Sequence, residues 1–440
     1  MPPFHNLPIT VIEDILEMFC IHCTPVQFEH HASHGHDRRN TDTLVSLCRS
    51  SRVLSSMAMP LLYHQPIFHT MTKGIPLTRT LLERPELARH VKCLHFEDSG
   101  RIQEPDELPL YELSLFKKAA AEFDTIDIDG DWLEQGKLLD ILVAKCPNVE
   151  HVRLQSYYND EPWGIVPYAS LPNIKSLALS HGDTEMGCHM GTIEPMLEAA
   201  VNVTRLTGTM VTSLNTHVRL KKLLRLELLQ SELEGRDLSD FLACCPALEE
   251  LRYESGGCTV GYENHVPREF QTAVLTHARR LKKLTYCLEM VSFDQEPLRE
   301  DMMLQSLAGL ERLEELAIDT RSMMVHQDPN VRSMRRMPDG TMAEWILPVP
   351  ELSPTALVDL LPASIRSFRL SQAIAGKKPE LPAFLPAIIC LGKHARERFP
   401  DLNKVTFSGL PAAAAEEARP VFESQGVAFS VDFPHMRCLY

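Results

Sequence analysis

Cysteine and histidine crowd the start of this 440-residue chain, where Cys20 and Cys23 are followed by His30, His31, His34 and His36. A C-x2-C pair followed by paired histidines has the spacing to hold zinc tetrahedrally, because two thiolates and two imidazoles make a closed ligand set. Both cysteines, however, fall on the apolar stripe of a helical pattern, so binding would pull away side chains that the helix buries. No second C-x2-C follows. The histidines are therefore read as a solvated loop, and no metal and no cofactor are expected.

Asp124, Asp127, Asp129 and Asp131 cluster around Gly130 in the manner of a calcium loop. Counted from that glycine, the first and last ligand positions are Thr125 and Gly136, where a calcium loop needs carboxylates. An acidic edge after a strand is the reading adopted. There is no G-x-S-x-G elbow and no phosphate-cradling loop, so the chain is not expected to be an enzyme.

The formal net charge of −15 opposes binding to nucleic acid or to anionic membranes, which needs clustered Lys and Arg, and so favours protein partners. No run approaches the roughly 18 to 20 apolar residues of a membrane span, and the start lacks the pattern of a secretory signal. A cytoplasmic or nuclear protein is expected, with its 12 cysteines reduced and unpaired. On that reading Asn202-Val203-Thr204 matches the glycosylation pattern by chance.

The elements that position these residues begin with two helical stripes. Val11, Ile12, Ile15, Leu16, Phe19, Cys20 and Cys23 recur at three- and four-residue steps, with Asn6 placed to cap the helix and Glu13 and Asp14 near its positive end. Leu44, Leu47, Cys48, Leu54, Met57, Ala58, Leu61 and Leu62 form the second stripe, in which Pro60 predicts a break. So small a pair cannot bury enough surface to stand alone and must pack on the body or on a partner.

The wording Leu7-Pro8, Val11-Ile12, Ile15-Leu16, Leu47-Cys48-Arg49-Ser50-Ser51-Arg52 and Ala58-Met59-Pro60-Leu61-Leu62-Tyr63 resembles an F-box of the filamentous-fungal form. The resemblance implies a helical module over residues 1–70 that docks on the Skp adaptor of a cullin-RING ubiquitin ligase. Leu7, Pro8, Ile12, Leu16, Leu47 and Cys48 would line that contact.

From Val91 onward one phrase returns: apolar, two others, apolar, one other, apolar. Its instances are Val91-Leu94-Phe96, Phe123-Ile126-Ile128, Val149-Val152-Leu154, Ile174-Leu177-Leu179, the weaker Val203-Leu206-Gly208, Leu223-Leu226-Leu228, Leu248-Leu251-Tyr253, Leu281-Leu284-Tyr286, Leu313-Leu316-Ile318, Ile365-Phe368-Leu370 and Leu402-Val405-Phe407. Pro147, Pro172, Pro246 and Pro400 stop a helix just before the phrase and start an extended segment. Stripes such as Leu138, Leu139, Leu142 and Val143 supply the helices, and a helix from Ala412 with a strand over Val427–Phe433 closes the end.

Strand and return helix at a period of tens of residues resemble leucine-rich repeats. The resemblance implies that residues 71–440 form an irregular α/β solenoid with a parallel sheet on its concave face. The Asn expected three residues after the last apolar position is absent, with Tyr157, Gly182 and Gly256 there instead. An ordinary doubly wound α/β domain is the competing fold.

Strand alternation turns the residue between the last two apolar positions away from the core. This predicts a row of His95, Asp127, Arg153, Thr207, Glu227, Arg252, Thr285, Arg369 and Thr406, in which Arg153, Glu227, Arg252 and Arg369 are the candidate target contacts. An insertion around 320–352 gathers Arg321, Arg332, Arg335 and Arg336 with Met323, Met324, Met334, Met337 and Met342; it lacks periodicity and reads either as a plain solvated insertion or as a target-binding loop, Arg335 and Arg336 foremost. Together these features point to a ligase subunit that holds the Skp adaptor with its helices and a target protein with its repeats. The alternative is a repeat scaffold that binds protein with no ligase role.

Overall fold

The computed structural model describes residues 7–20, 22–23, 34–68, 71–97, 109–122, 135–156, 171–182, 187–215, 217–256, 266–288, 299–324, 333–336, 342–345, 352–372 and 381–432. Every apolar phrase within them becomes a parallel β-strand, and the protein is mixed α/β on a large parallel sheet. The phrase Phe123-Ile126-Ile128 lies outside the described residues. Two compact units are resolved, one of residues up to Asp183 with Met190–Leu206, the other of Thr184–His189 with Thr207–Leu439.

The first unit opens with helices α1 (Ile9–Glu17), α2 (His34–Ser50) and α3 (Arg52–His64). Their stripes face one another: Ile12, Leu16, Leu44 and Ala58 form a buried cluster, with Phe19, Leu47, Cys48, Leu54, Met57, Leu61 and Leu62 packed around it. The break in the second stripe falls at Ser51 rather than at Pro60. Ser51 is extended and its hydroxyl accepts the Leu54 N–H at 3.1 Å, which caps α3. Helix α3 then runs through Pro60, where packing of Ala58, Leu61 and Leu62 outweighs a penalty of about 3 kcal/mol for a proline inside a helix.

Helix α1 starts directly after Pro8, which holds the N-cap position without a side-chain hydrogen bond. The expected cap, Asn6, lies outside the described residues, and Glu13 and Asp14 sit beyond the first turn. After α3 come β1 (Ile67–Phe68), α4 (Met71–Glu83), α5 (Pro85–Ala88), β2 (Cys93–Glu97), α6 (Leu110–Ala120), α7 (Gln135–Lys145), β3 (His151–Ser156), β4 (Ser176–His181) and α8 (Glu194–Ala199). Strands β1 to β4 pair in chain order, and the Lys92 N–H donates to the His64 carbonyl at 2.9 Å, tying the end of α3 to the start of β2.

In the second unit a small pair, β5 (Cys188–His189) with β7 (Val211–Ser213), stands apart from the main sheet, while β6 (Arg205–Thr209) spans the division between the units. The main strands are β8 (Arg225–Ser231), β9 (Glu250–Ser255), β10 (Lys283–Leu288), β11 (Glu315–Asp319), β14 (Ser367–Ser371), β15 (Lys404–Ser408) and β16 (Ala428–Asp432). Each pairs in parallel with the next in the chain. The order never reverses, so the unit has no switch point of the kind that defines a doubly wound sheet. Helices α9 (Gly235–Ala243), α10 (Pro267–His277), α11 (Ala356–Leu360), α12 (Leu385–Arg398) and α13 (Ala412–Ser424) fill the crossovers; α9 packs on α10, and α12 on both α11 and α13. The apolar residues of each phrase are buried beneath them, from Leu226 and Leu228 to Val405 and Phe407.

The insertion differs from the expected loop. Ser333–Arg336 (β12) and Met342–Trp345 (β13) form an antiparallel pair in which Arg335 stands opposite Ala343 and Arg336 opposite Met342. Arg321, Met323 and Met324 are buried and do not belong to an exposed basic island. Arg321 lies in, and Met323 and Met324 follow, a tight turn over Thr320–Ser322 whose start is fixed by Asp319, which accepts from the N–H and hydroxyl of Ser322 at 2.8 and 2.9 Å. Arg332 and Met337 lie outside the described residues.

Candidate functional site

Within each unit parallel pairing sets the residues between the last two apolar positions of successive phrases side by side, and the register of β8 against β9 shifts only beyond Leu228. In the first unit Ile67, His95, Arg153 and Ala178 are register partners in turn. In the second, Glu227, Arg252, Thr285, Ala317, Arg369, Thr406 and Ser430 follow one another across the strands. Thr207 is half-buried in its alternating strand, and Asp127 lies outside the described residues. Thr406 departs from the expected exposure: it is buried and its hydroxyl lies 2.8 Å from that of Ser430.

Two charged members of the row, Arg252 and Arg369, are held by neighbours. Arg252 Nε donates to Glu254 Oε1 at 2.7 Å, and Glu254 is buried, while Arg369 pairs with Asp432 at 3.3 Å. Arg252 and Arg369 are three strand steps apart, about 14 Å at the usual strand spacing. Between them stand Thr285 and Ala317, so the face presents two oriented guanidinium groups flanking a shallow, small-residue stretch. The positions of Ala178 and Ala317 were not part of the row read from the sequence.

A second ladder, absent from the sequence reading, runs along the strand entrances. Glu150 takes hydrogen bonds from Lys92 at 2.8 Å and from Lys175. Lys282 pairs with Glu249 at 2.8 Å, Arg366 with Glu314 at 3.0 Å, and one residue further on Lys283 pairs with Glu315 at 3.2 Å. Signs alternate from strand to strand, which favours the native register over a slip that would set like charges together.

On the N-terminal helices the six expected adaptor contacts separate. Leu7 and Pro8 are exposed, and Leu47 and Cys48 are half-buried, but Ile12 and Leu16 are 6% and 1% exposed, inside the helices' own core. They cannot line a docking surface in this state, because three helices this short need those two side chains to make a core at all. The apolar residues that do face outward are Leu7, Ile9, Val11 and Met18 at α1 and Val53 at the start of α3. An open depression of about 610 Å³ is lined by Cys48, Arg49, Arg52, Met59, Pro60 and His90, none of them on α1.

Cysteine and histidine do converge, though not the set read from the sequence. Helix α1 ends at Glu17, so Cys20 and Cys23 follow it in a turn closed by the Cys23 N–H on the Cys20 carbonyl at 3.1 Å. The objection that a metal would draw them off a helix face therefore does not apply. Their sulfurs meet His22 and, from the end of α3, His64, and one ligand atom from each of the four lies within 4.8 Å of every other. Burial pushes the Cys23 thiol up to about 12 and the His64 ring down to about 4, with Cys20 and His22 shifted in the same respective senses. His30 and His31 lie outside the described residues; of His34 and His36 only the helical backbone is described. The aspartate cluster at 124–131 also lies outside them.

No protein-family model matches the chain, and no curated protein matches it significantly. Among the described residues no helix is long and apolar enough to cross a membrane, and no two cysteines are joined in a disulfide.

Proposed function

We propose that the protein is a non-enzymatic receptor subunit of a Skp-cullin-F-box type ubiquitin ligase, with a leucine-rich-repeat-like body that holds the target. The observation that carries the target-binding half is the register ladder of Glu227, Arg252, Thr285, Ala317 and Arg369, a continuous side-chain row presented by consecutive parallel strands. Stacked strand-and-helix repeats use such rows to bind proteins. The adaptor half rests on the F-box resemblance and on the outward Leu7, Ile9, Val11, Met18 and Val53. In this reading catalysis belongs to other subunits, and the receptor acts by raising the local concentration of target lysines near the charged carrier.

Burial of Ile12 and Leu16 favours a second reading, in which the helices close the end of the sheet and the chain is a protein-binding scaffold with no ligase link. Co-purification with a Skp adaptor separates the two. The receptor reading expects the full chain to retain the adaptor through gel filtration and Ile9→Asp plus Met18→Asp to abolish retention, both residues being more than 60% exposed and their loss leaving the melting temperature unchanged. A wild-type chain that never retains the adaptor would overturn the ligase reading and leave the scaffold.

A further inference from the structure

We propose that Cys20, His22, Cys23 and His64 bind a structural zinc ion that clamps the turn after α1 to the end of α3. The inference does not depend on the receptor reading. Cys20 Sγ and Cys23 Sγ each stand 3.5 Å from His64 Nδ1, and Cys23 Sγ stands 3.8 Å from His22 Nδ1. Zinc bonds of about 2.3 Å to sulfur and 2.0–2.1 Å to nitrogen, set tetrahedrally, put sulfur and nitrogen about 3.5 Å apart. The cluster has the dimensions of a coordination shell around one small ion.

Thiol-to-imidazole hydrogen bonding accounts for this arrangement poorly. A neutral ring nitrogen carries either one lone pair or one hydrogen, so Nδ1 of His64 has a single site, yet two sulfurs approach it equally closely. A cation at the centre satisfies all four groups at once. Two sulfurs and two imidazoles select zinc over magnesium, calcium or manganese, which take oxygen donors. Four protein ligands leave no open position, so the site would be structural and not catalytic. Binding needs both thiolates and therefore releases protons.

The placement gives the ion work to do. The three-helix core is small, and the His64 carbonyl itself accepts the backbone bond from Lys92 that joins α3 to β2. The His22 ring stands edge-on to His64, with centroids 5.4 Å apart, and 5.8 Å from the ring of His151 on β3. A zinc ion would thus fasten α1 to α3 at the point where the helices meet the sheet, supplying stability that a module of this size lacks.

The test is elemental analysis of the full chain purified under reducing conditions without chelator, then titrated with zinc sulfate. A stoichiometric zinc ion is expected in the wild type and in a variant with His30, His31, His34 and His36 all changed to Ala. Cys23→Ser plus His64→Ala should lose it. Because that variant could also misfold, cobalt titration of the reduced wild-type chain provides an independent reading: tetrahedral absorption with sulfur-to-metal charge transfer is expected. Failure of the reduced wild type to take up zinc or cobalt would overturn the proposal. So would zinc retained by the Cys23/His64 variant, or lost on changing His30, His31, His34 and His36.

Discussion

Tyr253 on β9 is the register partner of Tyr286 on β10, and their rings stack with centroids 5.9 Å apart at 21°. Phe270 of α10 lies over Tyr286 at 4.1 Å, so strand and crossover helix meet through one fully buried aromatic group. The Tyr253 hydroxyl donates to the Ser231 carbonyl at 3.0 Å and accepts the Leu233 N–H at 3.3 Å, which gives its polar end partners inside the core. Tyr286→Ala should cost about 3–5 kcal/mol, as expected for emptying an aromatic-sized site. Tyr253→Phe keeps the ring and should cost only about 1–2 kcal/mol for the hydrogen bonds removed. Urea unfolding of the two variants measures the difference, and equal losses would show that the ring stack contributes no more than the hydroxyl.

Glu150 ties together three consecutive strand entrances through Lys92 and Lys175. Burial alone would raise its carboxyl, but the hydrogen bonds and charges of the two lysines win and hold it at about 2. A carboxylate depressed in the folded state adds stability that is present above its ordinary pKa of 4.5 and is lost as pH falls toward 2. Thermal unfolding of Glu150→Gln should therefore lie below wild type at pH 7, with the gap closing between about pH 5 and pH 2. A gap that stays constant over that range would mean that the lysines do not stabilise the ionised form.

The strands were legible in the sequence because their burial alternates over a few residues, as in Leu251 and Tyr253 or Phe368 and Leu370, and parallel register then aligns the intervening positions without further information. What the sequence hid was the pairing of particular polar side chains far apart in the chain. Cys23 and His64 are 41 residues apart, and Glu314 and Arg366 are 52 apart, so neither the cluster nor the charge ladder has a local signature. A further device was invisible for the same reason. Asn148, Asn173 and Asn202 each donate from Nδ2 to a backbone carbonyl just ahead of the preceding strand, those of Arg89, Pro147 and Pro172, at 2.7 to 2.8 Å. The asparagine missing after the phrase is thus answered by one before the strand. Conversely, Pro60 was a strong local signal that tertiary packing overrode, and Ile12 and Leu16 fit an adaptor-facing motif while being consumed by the helices' own core.

Glu232 tests the opposite sign of electrostatics from Glu150. It follows directly on β8, its N–H donates to the Val211 carbonyl at 3.1 Å, and its half-buried side chain is pushed up to about 7 by desolvation. A carboxyl raised in the folded state prefers its proton there, so its contribution is fully present below the ordinary value of 4.5 and is lost as pH rises through about 7. Above that, the ionised group remains partly buried against its preference. Glu232→Gln keeps the shape and removes the charge. The variant should match wild type at pH 4 and unfold at a higher temperature than wild type at pH 8.5, the difference growing between about pH 4.5 and pH 7. A variant that is equally or less stable than wild type at pH 8.5 would show that Glu232 is better solvated or better paired than its surroundings indicate.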